Sequence, residues 1–430
     1  MFWNKEIETI SRKKLEAMQL ERLQATAQKV YSKVPFYKGK FDELGINPKH
    51  ITSITDIQKL PFTTNADLRE NFPDKLNTCG RENIIRLHTS SGTTGKPKAL
   101  WFSKADLDML AEQMARNLVM TGLTNADILQ NMMTYGLFTG AFMLHYGAEK
   151  LGVLVIPSGP GNSERQISLM QDFGTTVLHF TPSYALHLAD VMEEKGINPR
   201  KDVKLTKAYV GAEPYTEETR KKIEKLYDID VFNCYGLSEM GGPGVAFECQ
   251  EKGHLHVWED NFLVEIIDPE TLKPVDEGKP GELVLTTLTR DAMPLIRYRT
   301  RDITSFVTEK CACGRTHRRI RRMTGRTDDM LIVHGVNIFP QQIERILMGI
   351  KSVAKNYQIE LTPLGDIIVR VEMSQTVFDG NVEHLVSLQK DIADKLRNEI
   401  IVRPKVELME PGSLPVFEGK GKRVIDKRKI

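Results

Sequence analysis

Between about residue 150 and residue 236 the chain alternates short apolar runs with amphipathic stretches, and this constrains the fold more than any other feature. VLVIP (153–157) reads as a buried strand. SERQISLMQDFG (163–174) starts at a good N-cap, Ser163, and ends at Gly174, as a helix does. TVLHF (176–180) is a strand, and Pro182 then opens a helix that Gly196 closes. LTKAYV (205–210), TEETRKKIEKLYD (216–228) and IDVFNCYG (229–236) continue as strand, helix and strand. A β-α-β-α-β-α-β order predicts a largely parallel sheet covered by helices. Ligands of such sheets bind beyond the C-terminal ends of the strands. Two of those ends read GAEP (211–214) and NCYG (233–236).

The flanks have a different texture. The first 45 residues read as helix, with Ile7, Ile10, Leu15, Met18, Leu23 and Val30 in a loose helical period. Residues 60–100 mix turns with short apolar segments, and a further helix is expected over 106–121. FLVEIID (262–268), a Pro/Gly-rich turn and ELVLTTL (282–288) predict a hairpin or small barrel. From about 327 the order is β-α-β-β-α-β, which suits a compact α+β lid. The expected fold class is α/β: a large N-terminal domain, 1–326, with parallel sheets covered by helices and a small β subdomain, then a small mobile α+β domain, 327–430.

A chain of 430 residues can bury a core without disulfides or metals as staples. Its longest strongly apolar run, 151–157, is far below the ~20 residues of a spanning helix. The N-terminal MFWNKEIETISRKK has no apolar signal core, so a cytoplasmic protein is expected. A net charge of +2 excludes a globally basic nucleic-acid binder. The charge is uneven, with ten Lys/Arg against two acids in 297–326 and six against two in 418–430. Such patches are either solvated faces or sites for a small polyanion such as a nucleotide.

HTSSGTTGKPKAL (88–100) is the most informative stretch. Ser90, Ser91, Thr93 and Thr94 flank Gly92, and Gly95-Lys96 follows. Glycines let backbone N–H groups approach an anion and the hydroxyls add donors, which suits a phosphate. It is not a Walker A loop, which needs four residues before Gly-Lys and then Ser/Thr; here two intervene and Pro97 follows. Taken alone, the same residues also describe a flexible polar turn.

SSGTTGKPK resembles the phosphate loop of the adenylate-forming superfamily: acyl-CoA ligases, peptide-synthetase adenylation domains and luciferases. Other segments follow in that family's order. GAEP (211–214) resembles its adenine-side strand end, and NCYGLSEMGG (233–242) its Tyr-Gly-x-[Ser/Thr]-Glu motif. YRTRD (298–302) is similar to the ribose-binding segment, GRTDDMLIVHGVNIFPQQIE (325–344) to the hinge and the loop beyond it, and EGKGKR (418–423) to the catalytic-lysine loop. The short length, LFTGAFMLHYGAEKLG (137–152) and HGVNIFPQQIE (334–344) narrow the resemblance to the phenylacetate–CoA ligase branch.

The resemblance implies ATP, Mg²⁺ and coenzyme A as ligands and an acyl-adenylate as intermediate. Adenylation brings a carboxylate against a phosphate, so positive charge must offset their repulsion. Lys420 is implied as the bridging cation, with Lys422 the competing assignment. Ser90–Lys96 would hold phosphates, and Gly211, Ala212, Glu213, Pro214, Asn233, Tyr235, Gly236 and Ser238 would surround AMP, with Tyr235 stacked on adenine. Asp302 would accept the ribose hydroxyls, joined by Arg326, and Glu239 would hold Mg²⁺. Tyr135, Gly136, Phe138 and Gly140, with Ala212 and Pro214, would line the acyl pocket, although an apolar helix face looks much the same. Asp328 matches the hinge, and Gly335 and Val336 the loop facing CoA in the second half-reaction. Relatives of this kind are often homodimers.

Cys249-x6-His256 and Cys311-x-Cys313 together supply three thiolates and an imidazole, a normal set for structural zinc. Unrelated buried thiols are the plain alternative, and His254 is the competing imidazole. His256 is preferred because LHVWED (255–260) resembles a recurrent family segment. The expected function is ATP-dependent ligation of phenylacetate or a related aryl acid to CoA. An adenylating enzyme with another acceptor is the alternative, and a zinc-stabilised nucleic-acid binder a remote one.

Overall fold

The N-terminal helical stretch is divided where the sequence caps it. In the computed structural model, Ser11 accepts the Lys14 N–H and opens the helix Arg12–Lys33; Pro35 then starts a second helix, Pro35–Glu43. The structure describes residues 1–89, 97–329, 331–333, 336–375, 382–415 and 423–429. These group into two compact units, Met1–Gly159 with Phe232–Met323, and Pro160–Val231 with Thr324–Ile430.

In the first unit, Leu23, Ala27, Val30, Tyr37 and Phe41 of the N-terminal helices belong to one core with the antiparallel strands Phe262–Ile267, Gly281–Thr287 and Tyr298–Thr304. These strands are the expected small β subdomain. The helix Lys104–Met120 starts at a capping box between Ser103 and Asp106. It packs against the helix Thr139–Lys150 and the strand Gly242–Glu248. The two helices cross so closely that a Cβ on Gly147 would fall 2.4 Å from Met114 Cγ. The strands Asp230–Leu237, Gly242–Glu248 and Leu255–Val257 run antiparallel in sequence, so the sheet is mixed rather than parallel throughout.

The alternating region folds as its pattern predicts, with two local differences. Ile128–Asn131 and Leu154–Ile156 pair in parallel, as do Val177–Phe180 and Lys207–Gly211 in the second unit. VLVIP, however, is an edge strand with Leu154 54% exposed; only Val153 of its apolar residues is buried. A short apolar run does not tell an edge from a centre. The helix Ser163–Phe173 is capped by Asn162, not Ser163: the Asn162 backbone is left-handed and its side chain accepts the Arg165 N–H.

The C-terminal part of the second unit is a four-stranded sheet in the order Lys405–Met409, Ile367–Met373, Val353–Leu361, Val424–Asp426. The helices Pro340–Met348 and Val382–Ile400 share its core through Ile343, Leu347, Ile392 and Leu396. Among the described residues, no helix is long and apolar enough to cross a membrane.

Candidate active site

The strand Asp230–Leu237 leads into a single 3-10 turn, Ser238–Met240. Only glycine serves at position 236, because a Cβ there would lie 1.8 Å from the Gly242 carbonyl oxygen. The turn buries Glu239, whose Oε1 takes the Lys98 ammonium and accepts a 3.0 Å hydrogen bond from the Tyr298 hydroxyl. Burial alone would raise the Glu239 carboxyl pKa; Lys98 outweighs it, and the carboxyl stays below its ordinary value. Lys98 is not among the residues singled out from the sequence. The available signal was its place in GKPK, directly before the strand Ala99–Ser103.

The Tyr235 hydroxyl donates to Asp302 Oδ2 at 2.5 Å, and the Asp302 N–H donates to Thr300 Oγ1 at 3.0 Å. The tyrosine and the aspartate expected at the nucleotide are therefore in direct contact. Asn233 is buried, with its N–H donating to Glu248 Oε2 at 2.7 Å. Thr139 Oγ1 donates to Ser238 Oγ at 3.3 Å, which ties this motif to the start of the acyl segment.

In that segment the Tyr135 hydroxyl accepts from Asn131 Nδ2 and pairs with His145 Nδ1, each at 3.0 Å. His145 Nε2 in turn lies 2.9 Å from Glu149 Oε1. The Tyr135 ring stands edge-on to Phe142, with centroids 5.1 Å apart, and burial pushes its phenol pKa up, so it stays neutral. Gly136 has a left-handed backbone, φ +87°, and a Cβ on Gly140 would meet nothing within 4 Å. Phe138 is exposed, at the N-cap of the helix Thr139–Lys150. Aromatic and small residues thus follow one another along this segment. His145 and Phe142, which fix Tyr135, were not singled out; they lie one helical turn apart on the face that meets it.

In the second unit, Lys207–Gly211 ends in the GAEP turn, where Ala212 is left-handed (φ 69°) and Glu213 accepts the Ser183 N–H at 2.7 Å. A non-glycine residue in that region costs about 1–3 kcal/mol, which the surroundings must offset. Arg326 and the expected hinge residue Asp328 form a two-pronged ion pair, at 2.9 and 3.1 Å. Val336 begins the strand Val336–Ile338, paired with Leu331–Val333. Ser90, Ser91, Gly92, Thr93, Thr94, Gly95, Lys96, Gly335, Lys420 and Lys422 lie outside the described residues.

Cys249, His256, Cys311 and Cys313 come together, with one donor atom from each within 4.8 Å of all the others. Cys249 and Cys311 sulfurs are 3.6 Å apart, and Cys313 Sγ is 3.4 Å from His256 Nε2. Contact with the Cys249 thiol and with His256 holds Cys313 well below the usual thiol value. His254 is not part of the group. The donor set fits tetrahedral zinc and leaves no position for a substrate.

The loop after Cys313 is stitched to the start of the chain. Arg315 Nε donates to Glu8 Oε2 at 2.8 Å, Thr316 N–H to the Glu8 carbonyl at 3.1 Å, and His317 Nε2 lies 2.9 Å from the Ile7 carbonyl. Three basic residues of the stretch 297–326, Arg297, Arg315 and Arg319, are buried, and others are ion-paired nearer the surface. Arg297 pairs with Glu265, Arg299 with Glu282 and Arg318 with Glu259. Part of the charge that read as a patch in the sequence is neutralised by acids from distant segments, while Lys310, Arg318 and Arg321 stay exposed.

Comparison with known proteins bears on the family. The model of the AMP-binding enzyme family matches residues 16–288, and that of the AMP-binding enzyme C-terminal domain matches 335–428. The chain is 44% identical to a phenylacetate-coenzyme A ligase of Thermus thermophilus over 446 aligned residues, covering 100% of each. A 2-hydroxyisobutyryl-CoA ligase solved in its postadenylation state, with R3-HIB-AMP, is 28% identical with a TM-score of 0.94, covering 100% of this chain and 93% of that one. The same ligase in its thioesterification state, with 2-HIB-AMP and CoA, is 29% identical with a TM-score of 0.74, covering 99% and 92%.

Proposed function

The chain belongs to the AMP-binding enzyme family and is an acid–CoA ligase of the AMP-forming kind; from that premise we propose that its acid is phenylacetate or a related aryl acid. Ligation proceeds in two steps. An acid oxygen attacks the α-phosphorus of ATP, the α–β phosphoanhydride bond breaks and pyrophosphate leaves. The CoA thiolate then attacks the acyl carbonyl, the bond to the AMP oxygen breaks and AMP leaves. The full-length match to a phenylacetate ligase carries the choice of acid. The aromatic and small residues at Tyr135, Gly136, Phe138 and Gly140 support it, since they suit a flat ring.

Asp302, aligned by Tyr235, accepts the ribose hydroxyls, and the GAEP turn and Asn233 border the base. Glu239 is the described carboxylate suited to Mg²⁺: it is charged, and its present partner is already a cation, Lys98. The ion would neutralise phosphate charge when bound. Lys98, released from Glu239 to the phosphates, adds to that neutralisation. Lys420, or Lys422 in its place, supplies the cation between acid and phosphate, and the chain turns about Asp328 between half-reactions to bring Gly335 and Val336 to CoA. The domains of that motion are 1–326 and 327–430. Zinc held by Cys249, His256, Cys311 and Cys313 clips two segments and takes no part in the chemistry. The reading extends to a cytoplasmic homodimer that binds no nucleic acid, in keeping with its small-molecule substrates.

The test is acid-dependent pyrophosphate release from ATP over a panel of carboxylic acids, with and without CoA. Phenylacetate is expected to give pyrophosphate alone, and phenylacetyl-CoA and AMP once CoA is added. Pyrophosphate without thioester would move the reading to another acceptor. Faster turnover with a non-aromatic acid would overturn the assignment of the substrate.

A further inference from the structure

Within the second unit the helix Glu217–Tyr227 packs on the helix Pro340–Met348. These helices lie in stretches that match separate family models, 16–288 and 335–428. Their contact is polar at its centre. Glu344 is only 3% exposed and Thr219 only 1%. Glu344 Oε1 accepts the Thr219 hydroxyl at 2.6 Å, and Oε2 accepts the Tyr357 hydroxyl at 3.1 Å, with the Arg423 guanidinium 3.7 Å away. Arg423 also lies over the Tyr357 ring, 4.6 Å from its centroid, and its carbonyl accepts the Ile359 N–H at 2.8 Å. Burial works against the charge on Arg423; Tyr357, Glu344 and Glu213 of the GAEP turn more than offset it, and its pKa is raised.

We propose that Glu344 is a positioning residue for adenylate formation: its bond to Thr219 latches the C-terminal segment to the helix that follows the GAEP turn, and the latch must open before the thioester step. The proposal rests on the ligase reading above. Three observations converge on it. The carboxylate is shared between two stretches that match separate family models. Arg423, the cation beside it, directly follows Lys422 of the catalytic-lysine segment. One relative solved in three states matches this chain at TM-score 0.94 in the postadenylation state and at 0.74 in both an open conformation and the thioesterification state.

The physical basis is that a buried carboxylate tolerates few intermediate arrangements. Its oxygen is either bonded to Thr219 in a dry contact or fully hydrated; a half-open contact leaves it unsatisfied. A latch of this kind makes the contact two-state and gives the adenylating arrangement a defined energy. Thr219 is well placed to hold the other half. It sits in the first turn of its helix, where its own N–H is capped by Thr216 Oγ1 at 3.3 Å.

The experiment separates the half-reactions in the full-length enzyme. Thr219→Val keeps the volume and removes the hydroxyl. Phenylacetate-dependent ATP–pyrophosphate exchange should fall by about tenfold or more, as for a lost hydrogen bond to a charged group. Conversion of supplied phenylacetyl-adenylate to phenylacetyl-CoA should hold at the wild-type rate or rise. Thr219→Ser should restore exchange, and this rescue stands whether or not the valine variant folds well. Hydrogen exchange of the helix Pro340–Met348, measured without substrates, should be faster in Thr219→Val than in wild type. Equal losses in both half-reactions, no rescue by serine, or unchanged hydrogen exchange would each overturn the latch. A wild-type enzyme that shows no exchange with phenylacetate would refute the choice of acid instead, and hydrogen exchange would still decide the latch.

Discussion

Replacing Lys98 by methionine would leave Glu239 buried without its counter-charge. In the wild type, burial pushes the Glu239 carboxyl pKa up, but Lys98 first and Tyr298 after it bring it below the ordinary value. A depressed carboxyl contributes stability above its unfolded pKa and loses it as the pH falls through the folded value. In Lys98→Met burial dominates, so the folded pKa rises above the unfolded one and the sign reverses. The carboxylate then destabilises at neutral and higher pH, and acid relieves the loss by protonating it. Breaking one side of a buried pair costs about 3–5 kcal/mol. For a cooperative unit of roughly 250 residues this corresponds to a melting temperature lower by on the order of 10 °C. Scanning calorimetry from about pH 8 down to about pH 5 should show a drop that is largest at the high end and shrinks as the pH falls. Adding Glu239→Gln should recover most of it, because a neutral amide can still accept from Tyr298. A Lys98→Met protein that melts within about 2 °C of wild type at pH 8, or that loses more at pH 5, would refute the electrostatic account.

Three further outcomes are expected. Elemental analysis should find one zinc per chain, and Cys311→Ser should lose it and melt lower, while Cys79→Ser, at a thiol outside the cluster, should keep it. Asp302→Ala should raise the KM for ATP by about 10- to 100-fold, the loss of charge-assisted hydrogen bonds, with the KM for CoA unchanged in steady-state assays. Gly236→Ala should destabilise by about 1–3 kcal/mol or abolish folding, read by urea denaturation, because its methyl would have to displace the Gly242 carbonyl.

Local periodicity and caps made the alternating core and the α+β lid legible, since each element depends mainly on its own residues. The grouping of Cys249, His256, Cys311 and Cys313 was also legible, because thiol and imidazole are rare enough that two clusters of them suggest one site. Properties set by partners distant in sequence were not. Leu154 has the residue type of a buried strand and the exposure of an edge, because the order of strands is not written in any one of them. The arginines of 297–326 read as a surface patch because the acids that neutralise them come from elsewhere, such as Glu265 and Glu282. Lys98 was passed over for the same reason: its importance lies in Glu239, 141 residues away. Asn162 was missed as a cap because Ser163 next to it is an equally good capping residue, and only the left-handed turn at Asn162 decides between them.

The bond between Glu8 and Arg315 spans 307 residues of sequence. During synthesis at about 5–20 residues per second, Glu8 therefore leaves the ribosome roughly 15–60 s before its partner exists. Through that interval the carboxylate must remain in water, and the segment around it cannot take its final place. The stitching of the first ten residues to the loop after Cys313 is consequently a late event in the life of the nascent chain.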